Sequence, residues 1–367
     1  MADTVTVATQ FSLTQTQLIW RDFKRHRAAL VGGVVIGLLY FTALLAEPIA
    51  PYDPFHREIK SPLVPPMLFH VRDTEGRLHL PFVYALELKR DPETFSPFYV
   101  QRTEQRFPVA LFVRGDKYRL WNLFTWDVHL FGVKGEQRLH LFGTDEQGRD
   151  LLSRVIHATR LSMSIGLLGV TMSFVLGVTL GGISGYFSGV PDLLIQRLIE
   201  ILTSIPSLPL WMALAVAIPL NWPITRVYFF ITVILSLVSW PGLAREVRGK
   251  FLSLREQDFV VAAQLDNANT GRLISRYLVP SSLSHIIASG TLAIPNMIIG
   301  ETALSFLGIG LRPPAISWGV LLQAAQNVQS VALSPWLLLP VVFVVIAALA
   351  FNFLGDGIRD AADPYKS

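Results

Sequence analysis

The chain of 367 residues is 51% hydrophobic and 16% charged, with a formal net charge of +4 and no cysteine. It is too apolar for an ordinary soluble domain, and its apolar residues are clumped. The absence of cysteine excludes disulfides, thiolate metal sites and cysteine nucleophiles, and basic residues beside apolar runs point to membrane topology and not to nucleic-acid binding.

Residues 1–27 mix Phe11, Leu18, Ile19, Trp20 and Phe23 with basic side chains, a pattern open to two readings, an interfacial helix or a disordered tail. A span needs roughly 20 mostly apolar residues to cross about 30 Å of hydrocarbon. Residues 28–46 are the first of six candidates, within a first transmembrane helix set at 28–47. Its apolar stretch exceeds the roughly 7–15 residues of a signal-peptide core, so a retained span is expected. Residues 48–143 then turn polar and rich in proline and aromatics, an external, periplasmic insertion. Residues 107–113 and 118–124, the second including Asn122, read as strands, with residues 114–117 as the hairpin turn between them. His70, His79, His129 and His140 lack ligand spacing, and no metal site is expected.

Residues 144–355 carry five further candidates, at 161–186, 195–220, 227–240, 283–309 and 332–354, with Pro241 just beyond the 227–240 run. Ahead of them, Thr144 and Gln147 fit a capping box, and Asp150 and Arg154 are spaced for an i,i+4 ion pair. Pro206, Pro209 and Pro295 each remove a backbone hydrogen bond and are candidate gates or kinks. Glu301 stands well inside an apolar run, where charge is costly and often lines a pathway. A bend near Gly300 would instead leave it a structural bond to Arg312 or a backbone amide.

Arg21, Lys24, Arg25 and Arg27 precede the first span, while Arg245, Arg248, Lys250, Arg255, Arg272 and Arg276 crowd the loop at 241–282. The positive-inside rule puts that loop, both termini and the 356–367 tail in the cytoplasm. Within the loop, a short helix carrying Ala262 and Ala263 leads through a polar interruption to a second helix that Pro280 is expected to stop. A polar helix-turn-helix between membrane runs has no lipid to cover its alanine face, which calls for a protein partner. Asp258, Phe259, Ala262, Ala263, Leu265 and Ala268 are assigned to the docking surface, with Asn267 at the bend.

Four blocks support a more specific reading: residues 50–54 (Ala-Pro-Tyr-Asp-Pro), residues 143–154 ahead of the second span, Glu301 to Gly310 with Pro313-Pro314 and Ser317-Trp318-Gly319, and residues 352–360. Together, and in this order, they resemble the OppC/DppC-type permeases of the oligopeptide/dipeptide ABC importer family. The 258–280 segment is similar to that family's cytoplasmic EAA loop, the coupling helix, with two departures. Val261 stands where the family has glutamate, removing a carboxylate, and Asn267 stands where it has glycine. Asparagine tolerates the left-handed backbone better than other side chains.

The resemblance implies an all-α polytopic protein of the bacterial cytoplasmic (inner) membrane, with six transmembrane helices of the type I ABC importer permease kind and a small β-rich external insertion. The chain contains no Gly-x-x-x-x-Gly-Lys-Ser/Thr loop, so no bound cofactor is expected here. ATP and Mg are then used by two separate ABC ATPase subunits, joined by an OppB/DppB-like second permease and an extracytoplasmic substrate-binding protein. The alternative is a secondary transporter for a small solute, which needs coupling groups within its spans, where Glu301 is nearly alone. No nucleophile–base spacing points to a catalytic site.

Overall fold

The computed structural model describes residues 15–59, 61–90, 92, 97–121, 123–133 and 138–362. Phe11, the Leu18 side chain and Asn122 lie outside the described residues. In chain order come helices α1 (Gln15–Arg25), α2 (Arg27–Leu44) and the single turn α3 (Ala46–Ile49), then strands β1 (His70–Arg72), β2 (Leu78–Arg90), β3 (Pro97–Leu120) and β4 (Phe124–Val133). Helices α4 (Leu151–Phe187), α5 (Gly189–Ser204), α6 (Ser207–Val216) and α7 (Ile224–Leu254) follow. After α8 (Asp258–Leu265) and α9 (Thr270–Leu273), a π-turn (Ile274–Leu278) leads into α10 (Val279–Phe306). The short α11 (Trp318–Leu322) and α12 (Val328–Leu333) precede α13 (Leu339–Ala362).

Five stretches are long and apolar enough to cross a membrane: Arg27–Leu44, Leu151–Phe187, Ile224–Leu254, Thr270–Phe306 and Pro335–Ala361. The run read at 195–220 falls instead on α5 and α6, a pair bent by 88°. Six expected spans thus become five continuous ones and a bent pair. Pro206 is the cap residue of α6 in extended backbone, with ψ 136°. Pro209 falls in the first turn of α6, where amide hydrogens have no intrahelical acceptor. Both prolines mark the break.

Two other prolines do not end their helices. Helix α7 runs through Pro241, whose neighbours Trp240 and Ala244 bury with Ile199, Leu176 and Leu180. That burial offsets the missing hydrogen bond. Pro280 likewise sits inside a helical run that continues into α10. An interior proline clashes with the carbonyl four residues back. Just before it, the π-turn widens the ladder, and the Val279 amide donates five residues back to Ile274. Nor is there an end at Gly300: α10 continues through Pro295 to Phe306 and holds Glu301 fully buried. Arg312 donates from Nε to the Gly308 carbonyl at 2.7 Å.

The chain divides into two compact units. One comprises the described residues up to Gly37, Ile165–Glu301 and the residues from Val345 on. Its α4 carries Gly177, Gly181 and Gly185 at four-residue spacing against α7. A Cβ at Gly181 would fall 2.4 Å from the Ala244 carbonyl oxygen, and one at Gly185 would fall 2.8 Å from that of Arg248. Only glycine permits such backbone approach. Arg248 forks onto Asp192 of α5 at 2.6 and 2.7 Å, and Arg255 donates to Ser188 Oγ at 2.6 Å.

The other unit, Leu38–Ser164 and Thr302–Val344, holds the sheet, an antiparallel meander in the order β1-β2-β3-β4. The hairpin turn read at 114–117 is a bulge within the single long strand β3. Arg114 pairs with Val128 and Tyr118 with Trp126, so three residues of β3 face one of β4. The chain reverses after Leu120, whose carbonyl accepts from the Leu123 amide at 2.9 Å. The Gly-Asp signal serves the bulge: a Cβ at Gly115 would meet His129 at 2.8 Å, and Asp116 accepts from Arg138.

The capping box at Thr144 is also corrected. Helix α4 begins at Leu151, and Asp150 is its cap, accepting at 2.7 Å from both the Ser153 amide and hydroxyl. Thr144 Oγ1 instead accepts from the Val64 amide at 2.8 Å and donates to the Ser61 carbonyl at 2.9 Å. Asp150 makes no pair with Arg154, which bonds Asp145. Its second oxygen lies 3.0 Å from Nδ1 of buried His140, whose Nε2 is 3.5 Å from Glu58. Burial pushes that imidazole down, but Asp150 and Glu58 outweigh it and raise it to about 9.

Candidate functional site

Helix α8 ends in a Schellman motif. The Ala268 amide donates to the Ala263 carbonyl and the Asn267 amide to that of Gln264, both at 3.0 Å. The motif needs a left-handed residue at Asn267, whose φ is 54°. This is the conformation expected of the asparagine. Asn269 then caps α9, its Oδ1 accepting from the Arg272 amide at 2.8 Å.

The two sides of α8 differ. Val260 and Ala263 turn inward, three residues apart, into a cluster with Val247 and Phe251 of α7, Leu273, Leu278 and Ile286. Phe174, Val178 and Tyr186 of α4 pack against the same cluster, as does Ala268. Outward face Asp258, Ala262, Phe259 at 43% exposure and Leu265 at 81%. The surface expected from the sequence is therefore corrected at Ala263, which is only 7% exposed and belongs to the cluster. Val261, where a carboxylate was lacking, adds a further exposed apolar side chain, 40% exposed. The result is an apolar patch on a two-turn helix whose back is packed against three others.

Adjoining this cluster at Phe174 and Leu243 is a cavity of about 740 Å³, lined by residues of α4, α6, α7, α10 and α13. Its polar groups include Glu246, His285, Ser289, Asn296 and Arg359, and its aromatic ones are Phe174 and Trp211. Ser289 donates to Glu246. None of Pro206, Pro209, Pro295 or Glu301 lines it. Pro206 and Pro209 flank Ser207, Pro295 precedes Asn296, and Glu301 lies buried further along α10. The missed residues did carry a signal. His285, Ser289 and Asn296 form a polar stripe at helical spacing through an apolar run.

The family profile described as "Binding-protein-dependent transport system inner membrane component" matches residues 177–366, more than half of the chain. A second, "N-terminal TM domain of oligopeptide transport permease C", matches residues 14–66. The oligopeptide transport permease protein OppC of Haemophilus influenzae is 38% identical over 226 residues, 61% of this chain and 70% of that protein. The chain belongs to the OppC/DppC-type permeases. OppC of Escherichia coli K12 is 41% identical to this permease over 61% of its chain and 72% of that one. OppC of Bacillus subtilis is 35% identical, covering 70% and 79%. Among solved structures, a chain of the inward-facing MetNI methionine ABC transporter aligns at 17% identity and a TM-score of 0.43, over 57% of this chain and 96% of that one. Helix α8 and most of the cavity lining fall within the matched residues, whereas residues 67–176, including the whole sheet and Val170, Ser173 and Phe174 of the cavity, lie outside both profiles. The permease is thus a multi-pass inner-membrane subunit of an ABC transport system.

Proposed function

We propose that the permease forms half of the pathway of an ATP-driven peptide importer and is moved by separate ATPase subunits docking on α8. The observation that carries this reading is the two-sidedness of α8. Phe259, Val261, Ala262 and Leu265 face outward, while Val260 and Ala263 share a cluster with α7 and the start of α10. A push on the exposed side reaches α7 and α10, two of the helices that line the cavity. Packed interiors transmit such displacement because their members cannot shift singly.

Peptide cargo follows the names of the relatives, oligopeptide and dipeptide transport permeases. The cavity suits it, with groups of both charge signs beside Phe174 and Trp211. The remaining parts are a second, OppB/DppB-like permease, two ATPases using ATP and Mg, and an extracytoplasmic substrate-binding protein. Both termini and α8 face the cytoplasm, a placement supported by the basic residues before α2 and along the end of α7.

Leu265→Asp in the reconstituted transporter is the test. The side chain is exposed, so the chain folds as before, while a carboxylate beside Asp266 repels an apolar partner surface. ATP-driven uptake is expected to fall to the level seen without ATP. Uptake at the unmodified rate would overturn the docking assignment.

A further inference from the structure

The β3–β4 hairpin is part of no feature used so far, and both family profiles leave it unmatched. Its tip is strongly apolar and open: Trp121 is 48% exposed, Leu123 75%, Phe124 49% and Trp126 53%. A hairpin tip in water ordinarily carries polar and glycine residues. Four large apolar side chains there need a covering.

The structure fixes the depth of this tip. Helix α2 ends at Leu44, and its next charged residue is Glu47. On α4 no charged residue occurs from 161 to 187, and the last before that run is Arg160. Arg160 donates to the Ala43 carbonyl at 2.9 Å and forks onto Glu47 at 2.8 Å. The apolar stretches of α2 and α4 therefore stop at one level, where the first charged side chains mark the boundary that spans of this composition share with a hydrocarbon layer. Trp121 donates from its indole Nε1 to the Leu44 carbonyl at 2.9 Å, into the same helix end. Leu38, Phe41 and Leu44 form an exposed apolar stripe on α2 that leads directly to it.

We propose that the β3–β4 hairpin tip lies in the lipid headgroup zone at the end of α2, with Leu123, Phe124 and Trp126 against the acyl boundary. Indole and phenyl rings favour this zone because one edge stays hydrated while the body leaves water. The exposed Lys117 and Arg119 on the same hairpin meet anionic headgroups. The lipid reading is favoured over a protein partner because the patch is continuous with the apolar surface of a membrane span and pinned at its boundary.

The chain has no cysteine, so Leu123→Cys gives it one site for an environment-sensitive fluorophore. Leu80→Cys is the aqueous control, 79% exposed on β2. Phe82 pairs with Pro108, which puts Leu80 level with Ala110, ten residues before Leu120, so Leu80 lies up to roughly 34 Å along the strand from the tip. The labelled full-length chain is placed in vesicles of phosphatidylcholine and phosphatidylglycerol and quenched from water by iodide and from the bilayer by shallow nitroxide-bearing lipids. Position 123 is expected to show blue-shifted emission, iodide quenching several-fold weaker than at position 80, and strong nitroxide quenching. Equal iodide quenching at the two positions would overturn the proposal. So would shielding from iodide without nitroxide quenching, which would assign the patch to a protein surface.

Discussion

Two polar excursions leave the apolar runs of this permease, and they are attached in opposite ways. The 258–278 segment sits on a cluster shared with α4, α7 and α10 and lies within the residues the transport-family profile matches. The β1–β4 sheet rests on its own ladder over a small core of Met67, Val83, Val133 and Leu139, and lies outside both profiles. Its links to the helical ends include polar bonds such as Trp121 to Leu44 and His129 to the Ala50 carbonyl. An interdigitated cluster passes on displacement, whereas hydrogen bonds at a rim hold a position. The first attachment suits coupling and the second suits perching.

The contrast is broken most severely at the seam that supports the first region. Gly181→Val places side-chain atoms where the Ala244 carbonyl already stands. Overpacking costs about 1–3 kcal/mol where neighbours can give, and backbone gives least. A large fall in Tm in detergent is expected, far beyond that of Gly249→Val, where a Cβ meets nothing within 4 Å. A loss of similar size follows from Leu278→Ala, which empties a fully buried place in the cluster at about 2–5 kcal/mol if the site cannot collapse. Amide exchange should quicken across 258–278 and not in β3 and β4; uniform quickening would erase the distinction.

The smallest effect belongs to the second region. The folded His140 value of about 9 lies above the ordinary 6.5. The charged form thus stabilises fully below 6.5, and that contribution is lost as pH rises to 9. Protection from exchange in the segment around Asp150, taken relative to the intrinsic base-catalysed rate at each pH, should fall across this window in the unmodified chain. His140→Gln should flatten the dependence there and leave 258–278 unaffected.

The spans were legible because long apolar runs admit few alternatives. Local punctuation was less dependable. Pro206 broke its helix, whereas Pro241 and Pro280 did not, because tight packing and a π-turn compensated for them. The Gly115-Asp116 pair signals a reversal locally, yet only the partner strand distinguishes a turn from a bulge. At the candidate site, the left-handed Asn267 could be read from residue type. Ala263 could not, since the inward side of α8 is set by its phase with Val260 and by the cluster beneath. The cavity stripe went unread because single polar residues in apolar runs look like noise until their spacing is compared.

That phase has a wider consequence at the π-turn. An α-helix advances about 100° per residue, so one additional residue in a single turn rotates everything beyond it by that angle. Leu273, before the turn, and Ile286, beyond it, both pack into the α8 cluster, while His285, Ser289 and Asn296 line the cavity from another face of α10. The turn Ile274–Leu278 therefore sets the rotation at which α10 meets the cluster and the cavity together. Deleting one residue there would keep the helix and its hydrophobicity but swing the polar stripe away from the space it lines.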